Sequence, residues 1–282
     1  MNRLKTSLLT LLLSVVLVPF SIAQDWAGLN HFKKENANVV DITPNEKRVV
    51  FMGNSITEGW FNIHPEFFGG KFYFNRGISG QTTPQMLLRF RADVINLKPK
   101  VVVILAGIND IAGNTGPSTL EMIEDNLISM AQLAKANNIK VILCSVLPVY
   151  DFPWKPGLEP GQKIIELNKL IKAYALKSGA IYIDFFSAMV DERNGLKAEY
   201  STDGVHPNEA GYYIMEPLTE IAISQAFGAP KPVVRKPAVT KKAPVTHKTP
   251  ATSTTKAPST LKTPAPAKAP ATQTKPVTTG KK

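Results

Sequence analysis

The chain has 282 residues, of which 44% are hydrophobic, 20% charged and 8% aromatic. This composition excludes a wholly disordered or fibrous protein and suffices for one sizeable core. The formal net charge of +11 would favour a nucleic-acid partner if it were spread over a folded surface. Residues 24–228, however, carry 19 basic and 22 acidic side chains, a balance of −3. We therefore expect no nucleic-acid partner for the folded part.

The first 23 residues have the pattern of a secretory signal peptide. Arg3 and Lys5 precede an apolar stretch over 8–20, and small residues stand at Ser21 and Ala23. A membrane anchor is the alternative, but the stretch is short for a bilayer span of about 20 residues. We expect cleavage after Ala23, a secreted or periplasmic protein, and no integral membrane span afterwards.

Between this segment and residue 228, which we take as the folded domain (24–228), short apolar runs alternate with stretches of helical spacing. The runs are rich in β-branched and aromatic residues and lie at 48–52, 72–74, 101–105, 141–143 and 181–183. Apolar residues three and four apart occupy 86–95, 122–133 and 164–174. This alternation predicts an α/β fold with a doubly wound, mainly parallel five-stranded sheet flanked by helices. Ligands of such sheets bind beyond the carboxyl ends of the strands, so residues just after each strand are the functional candidates.

Four polar segments lie at or just beyond those strand ends. They are GNSITEGW at 53–60, NRGISGQT at 75–82, AGIND at 106–110 and DGVHP at 203–207. In these segments the sequence resembles the SGNH hydrolases, also called GDSL esterases and lipases. The serine, glycine, asparagine and histidine of that family correspond to Ser55, Gly80, Asn109 and His206.

The resemblance extends over about 48–226 and implies a three-layer, flavodoxin-like sandwich. It also implies hydrolysis of esters, commonly of acetyl groups on carbohydrates. One departure is Asn54, where the family has aspartate. An amide can still accept a hydrogen bond from the turn but carries no charge, so we expect the local geometry to be preserved.

The residue types also fit ester hydrolysis by themselves. Acyl transfer needs a nucleophile, a base, a group that orients the base, and donors for the oxyanion. Ser55 is the candidate nucleophile, His206 the base, and Asp203, three residues earlier, the orienting acid. The backbone N–H groups of Ser55 and Gly80 and the side-chain amide of Asn109 are the candidate oxyanion donors. No set of Cys or His residues near them completes a zinc shell, so we expect neither a metal nor another cofactor.

Each of these residues has a structural alternative. Ser55 alone could be a helix cap, Gly80 a turn residue and Asn109 an Asx turn; their combination favours catalysis. An α/β-hydrolase would have Gly-x-Ser-x-Gly, but Thr57 stands where the second glycine would be. We further expect His64 to be a surface residue.

The loop after the fourth strand favours a carbohydrate substrate. It carries three aromatic residues, Tyr150, Phe152 and Trp154, between prolines. Flat rings suit a sugar face, although such a loop could equally pack over the core. We expect a small ester or acetylated carbohydrate as substrate, with short acyl groups. The alternatives are a lysophospholipase or lipase, and a noncatalytic carbohydrate-binding surface protein.

Residues 229–282 differ sharply from the rest. They contain eleven Lys, one Arg, no acidic residue, no aromatic residue and ten of the 22 prolines. Such a segment buries too little apolar area to offset its ordering entropy, so we expect a disordered basic tail. Its charge is consistent either with electrostatic contact to anionic surface polymers or with a solvated spacer.

Overall fold

A computed structural model describes residues 25–39, 43 and 46–229. The predicted signal peptide lies outside the described residues, as does the predicted tail apart from Ala229. In the part of the chain that is described, no helix is long and apolar enough to cross a bilayer.

The core of the structure is a five-stranded sheet, and its strands pair in parallel throughout. The strands are β1 Val49–Gly53, β2 Tyr73–Gly77, β3 Val101–Leu105, β4 Lys140–Cys144 and β5 Ile181–Ile183. Their order is β2-β1-β3-β4-β5. Every residue of β1 and β3 is buried, because helices cover both faces of a doubly wound sheet. The predicted α/β fold with five strands is confirmed.

Helices connect the strands. They are α1 Lys33–Ala37, α2 Ser55–Ile63, α3 Pro65–Phe68, α4 Thr83–Asp93, α5 Ile108–Ala112, α6 Leu120–Ala136, α7 Gly161–Ser178, α8 Phe185–Met189 and α9 Glu209–Ala226, with short 3-10 turns at Ile95–Leu97 and Ala198–Tyr200. Helices α4, α6 and α7 pack side by side, while α2 packs on β1 and β2 and α9 on β4 and β5. The order of strands reverses between β1 and β3, so the carboxyl ends of these two strands flank the crevice where such folds bind ligands.

Local sequence signals explain where the helices begin. Thr82 and Gln85 form a capping box at the start of α4, where each side chain satisfies a backbone N–H. Thr119 caps α6 by accepting a hydrogen bond from Met122 N. These caps set the register of helices that pack through apolar faces onto the sheet.

His64 is buried, so the prediction that it is a surface residue is wrong. Its side chain is only 2% exposed, because it lies where α2 and α3 meet and the ring of Tyr213 packs 4.1 Å from its own. His64 Nδ1 lies 2.6 Å from Glu216 Oε1, and Nε2 lies 3.5 Å from Glu66 Oε1 and 3.8 Å from Glu209 Oε1. The imidazole therefore joins the segment between α2 and α3 to the N-terminal half of α9.

We expect this contact to make the stability of the fold depend on pH. Burial acts to lower the pKa of His64, but the hydrogen bond with Glu216 and the charges of Glu216, Glu66 and Glu209 outweigh it and raise the pKa. A raised folded-state pKa means that protonated His64 stabilises the fold at acidic pH, and this contribution disappears as the pH rises through that pKa. His64→Gln should therefore lower Tm more at pH 5.5 than at pH 9. Each 1 kcal/mol of unfolding free energy that is lost lowers Tm by about 2–4 °C.

Thermal unfolding of both proteins at the two pH values measures this difference. His31→Gln is the matched control, because His31 is exposed, and it should leave Tm unchanged at both. A loss for His64→Gln that is the same at pH 5.5 and pH 9 would mean that His64 does not act in its protonated form.

Candidate active site

Ser55 is the first residue of α2, directly beyond the carboxyl end of β1. Asn54 caps this helix, since its Oδ1 accepts a hydrogen bond from Ile56 N at 3.0 Å. The amide therefore supports the turn as expected in spite of its departure from the family's aspartate. As the first helical residue, Ser55 has a backbone N–H without an intrahelical acceptor.

Ser55, His206 and Asp203 form one hydrogen-bonded series. Ser55 Oγ lies 3.0 Å from His206 Nε2, and His206 Nδ1 lies 2.7 Å from Asp203 Oδ2. The side chains of His206 and Asp203 are 39% and 37% exposed, so the series is open to a substrate from solvent. The fold thus brings together three residues of which one is about 150 positions from the other two.

The loop that carries Asp203 is organised by its own hydrogen bonds. Asp203 Oδ1 accepts from Val205 N at 2.9 Å and from His206 N at 2.8 Å. Burial raises the pKa of Asp203, but the hydrogen bonds from His206 and Val205 outweigh it and lower the pKa to about 2. An ionised Asp203 accepts a hydrogen bond from His206 Nδ1–H, which leaves Nε2 as the acceptor towards Ser55.

Ser201 belongs to this loop and was missed by the sequence analysis. Its hydroxyl lies 2.7 Å from His206 O and accepts from Gly204 N at 2.9 Å. A serine two residues before an aspartate is a weak signal for an ST turn. That signal is common in loops and did not distinguish Ser201 from other serines.

Gly80 follows β2 and Asn109 follows β3, and these two strands are the neighbours of β1 in the sheet. Gly80 has φ +76°, a conformation that favours glycine, and no described residue accepts a hydrogen bond from its N–H. Asn109 is buried, and its Nδ2 donates to Gln81 O at 2.9 Å. Because an amide nitrogen carries two hydrogens, one N–H of Asn109 remains for a ligand.

Two cavities flank the series. One, of about 400 Å³, is lined by Ser55, Glu58, Gly59, Asn62, Ile63, Ser79, His206, Pro207 and Tyr212. The other, of about 270 Å³, is lined by Tyr150, Asp151, Phe152, Pro153, Pro156, Arg193, Leu196, Asp203 and Gly204. A larger cavity of about 570 Å³ lies at the opposite ends of β4 and β5, but no residue of the series lines it. The two smaller cavities are therefore the candidate substrate sites, because residues of the series line both of them.

The loop after β4, which carries Tyr150, Phe152 and Trp154, places one of its rings beside His206. Trp154 is 51% exposed, and its ring centroid lies 6.1 Å from that of His206. Tyr150 is also about half exposed, whereas Phe152 is buried. Two of the three rings can thus meet a ligand, and the third packs in the core.

Asp110 and Arg76, two charged residues of the four segments, make structural contacts. Asp110 is buried and accepts from Thr83 N at 3.0 Å and Thr83 Oγ1 at 2.6 Å. Arg76 is buried, donates to Asn36 Oδ1 at 2.9 Å, and lies over the ring of Phe32. Within the described residues, no group of three His, Cys, Asp or Glu side chains is arranged to hold a metal ion.

Comparisons with known proteins identify the family to which the chain belongs. The GDSL-like lipase/acylhydrolase family matches residues 51–214, a span that includes all five candidate site residues. A GDSL-like lipase structure from Bacteroides thetaiotaomicron is 50% identical, with a TM-score of 0.70, over 71% of this chain and 98% of that chain. Esterase TesA of Pseudomonas aeruginosa is 30% identical over 55% of this chain and 73% of its own length. The platelet-activating factor acetylhydrolase IB subunit alpha2 of Rattus norvegicus is 27% identical over 71% of this chain and 86% of its own length.

The matched span covers more than half of the chain, and it contains the candidate nucleophile, base and oxyanion donors. The chain therefore belongs to the GDSL-like lipase and acylhydrolase family and is a carboxylic ester hydrolase.

Proposed function

We propose that this protein is a secreted or periplasmic serine esterase that removes short acyl groups, acetyl above all, from carbohydrates. The observation that carries the proposal is the hydrogen-bonded series from Ser55 Oγ through the imidazole of His206 to Asp203. A serine paired with a base that is itself oriented by a carboxylate is the arrangement that activates a hydroxyl for acyl transfer.

In the first half of the reaction, Ser55 Oγ attacks the ester carbonyl carbon while its proton passes to His206 Nε2. Asp203 stabilises the imidazolium that results. The tetrahedral intermediate then breaks its bond to the leaving alcohol, which takes the proton from His206. An acyl group remains on Ser55.

In the second half, His206 accepts a proton from a water molecule as that water attacks the acyl carbon. The second tetrahedral intermediate releases the carboxylic acid, and the proton returns from His206 to Ser55. The negative charge on the carbonyl oxygen is stabilised in both halves by the N–H groups of Ser55 and Gly80 and by the amide of Asn109.

Three observations support the finer assignment. Trp154 is a half-exposed ring near His206, and Tyr150, also half exposed, lines the cavity beside Asp203. Flat apolar surfaces suit the face of a sugar. One of the relatives is an acetylhydrolase by name. The first 23 residues have the pattern of a signal peptide, and the basic residues of 229–282 would hold the enzyme near anionic surface polymers or act as a spacer.

Acetate release from acetylated oligosaccharides tests the substrate assignment. We expect the wild-type protein to release acetate, and Trp154→Ala to raise KM for the oligosaccharide about three- to tenfold, since aromatic contacts contribute about 0.5–1.5 kcal/mol. The same substitution should leave turnover of a small aryl acetate unchanged, because that substrate has no sugar to contact the ring. Phe72→Ala is the matched control: Phe72 is 52% exposed but lies next to the opposite end of β2.

Two other results would favour the alternatives. Activity on aryl esters that rises from acetyl to octanoyl would favour a lipase or lysophospholipase, because each added methylene would then find an apolar wall. Binding of the oligosaccharide with no hydrolysis of any ester would favour a noncatalytic surface protein.

A further inference from the structure

The segment Ile78–Gln81, which we call the oxyanion loop, is attached to the helix that carries Ser55. Glu58 lies on α2 one turn beyond Ser55, and its Oε2 accepts a hydrogen bond from Ser79 N at 2.9 Å. The hydroxyl of Ser79 donates to the same oxygen. One carboxylate thus binds both donors of the residue that precedes Gly80.

The chain approaches α2 closely at this point. A Cβ atom on Gly77 would lie 2.2 Å from Glu58 N and 2.8 Å from Asn54 O, so only glycine allows the end of β2 to pass the first turn of the helix. Asn75 strengthens the contact, since its Nδ2 donates to Thr57 O. The position of the oxyanion loop is therefore set against the same helical turn that presents Ser55.

The other side of the loop is also attached. Asn114 Nδ2 donates to Gly80 O at 3.0 Å. Within the loop, Gln81 N donates to Ile78 O at 3.3 Å. The backbone N–H groups of Ile78, Ser79 and Gln81 each donate a hydrogen bond, whereas no described residue accepts one from the N–H of Gly80. Its neighbours are bound while it faces no protein acceptor, as expected of a donor kept for a ligand.

We propose that Glu58 is a positioning residue. Through Ser79 it holds the Gly80 N–H at the distance from Ser55 at which the N–H groups of Ser55 and Gly80 reach one oxyanion. This inference rests on the proposed serine esterase function. A donor stabilises a transition state only when its position is set before the reaction, because a mobile loop would have to be ordered in the rate-limiting step. Glu58 lines the same cavity as Ser55 and His206, but its described side-chain hydrogen bonds go to Ser79.

Kinetics of Glu58 variants with a small aryl acetate test this role. Loss of one whole oxyanion donor reduces kcat by about 10²–10³-fold. Glu58→Ala displaces such a donor without removing it, so we expect kcat to fall about 10- to 100-fold with little change in KM. Glu58→Gln keeps an acceptor for Ser79 and should recover kcat to within about threefold of wild type. Asp125→Ala, which removes an exposed carboxylate on α6, is the matched control and should leave kcat and KM unchanged.

A second readout separates positioning from a general structural effect. Phenylboronic acid forms a tetrahedral adduct with an active serine and imitates the oxyanion intermediate. Its affinity should weaken in Glu58→Ala by the same factor as kcat/KM, while Tm stays close to wild type. Ser79→Ala should reduce kcat severalfold in the wild-type background but not in Glu58→Ala, because the two residues act through one contact.

Three results would overturn the inference: a kcat for Glu58→Ala within threefold of wild type, an equal loss in Glu58→Gln and Glu58→Ala, or boronate affinity that does not follow kcat/KM. If Glu58→Ala does not fold, Glu58→Asp decides, because its shorter side chain withdraws the carboxylate from both Ser79 donors; an unchanged kcat there overturns the inference. Ser55→Ala, measured in parallel, keeps the two proposals apart. If Ser55→Ala retains activity, the serine mechanism itself is wrong; if it is inactive while Glu58→Ala is fully active, only the role of Glu58 is wrong.

Discussion

Ser55→Ala and His206→Ala are each expected to reduce kcat for a small acetyl ester by about 10⁴- to 10⁶-fold, and the double variant is expected to be little worse than either. The reason is the direct contact of 3.0 Å between Ser55 Oγ and His206 Nε2. A serine without its base keeps its proton, and a base without its serine has nothing to activate, so each single change removes the function of the pair.

Steady-state kinetics on the three variants measure this, with thermal unfolding as the control that each is folded. Losses that multiply in the double variant would mean that the two residues do not act as one unit. Asp203→Asn should cost less than either change, because it alters the orientation and charge of the site but keeps nucleophile and base. Normal turnover in Asp203→Asn would remove Asp203 from the mechanism.

Asn109→Ala is expected to reduce kcat by about 10²–10³-fold, the usual effect of removing one oxyanion donor. KM should change little, since the donor acts mainly on charge that develops after the substrate has bound. The substitution also removes the hydrogen bond from Asn109 Nδ2 to Gln81 O. Tm should therefore fall as well, because one buried unpaired carbonyl lowers the free energy of unfolding by about 1–3 kcal/mol.

Asn137→Ala is a matched control for this prediction. Asn137 Nδ2 also donates to a backbone carbonyl, that of Leu133 at 2.7 Å, but it lies at the far end of α6. Its replacement should leave kcat unchanged. An Asn109→Ala protein whose Tm falls while its kcat stays within threefold of wild type would show that Asn109 supports the loop and does not bind the oxyanion.

Much of the fold follows from local sequence patterns. The apolar run at 101–105 coincides with strand β3, every residue of which is buried, because strands buried on both faces read as short continuous apolar runs. The run at 181–183 coincides with the edge strand β5, which is only partly buried. The helix predicted from spacing over 122–133 is the central part of α6. Its ends were not predicted, since caps such as Thr119 are common residues whose role depends on the turn that they enter.

The candidate site was predicted as a set of residues but not as an arrangement. The order of the four segments along the chain indicated Ser55, Gly80, Asn109 and His206. Parallel strands place their carboxyl ends at one edge of the sheet, so segments that follow neighbouring strands meet there whatever their separation in sequence.

By itself, therefore, the sequence determined the α/β class, the strand positions and the residue types of the site, since these depend on period and on neighbours along the chain. Only the tertiary structure decided that His64 is buried against α9, that Phe152 packs in the core while Trp154 faces His206, and that Glu58 binds Ser79. Each of these outcomes depends on which distant segment packs against the residue. A lone histidine, aromatic or glutamate has the same local pattern whether its partner is solvent or a helix about 150 residues away, so its burial and contacts are fixed only when the helices dock on the sheet.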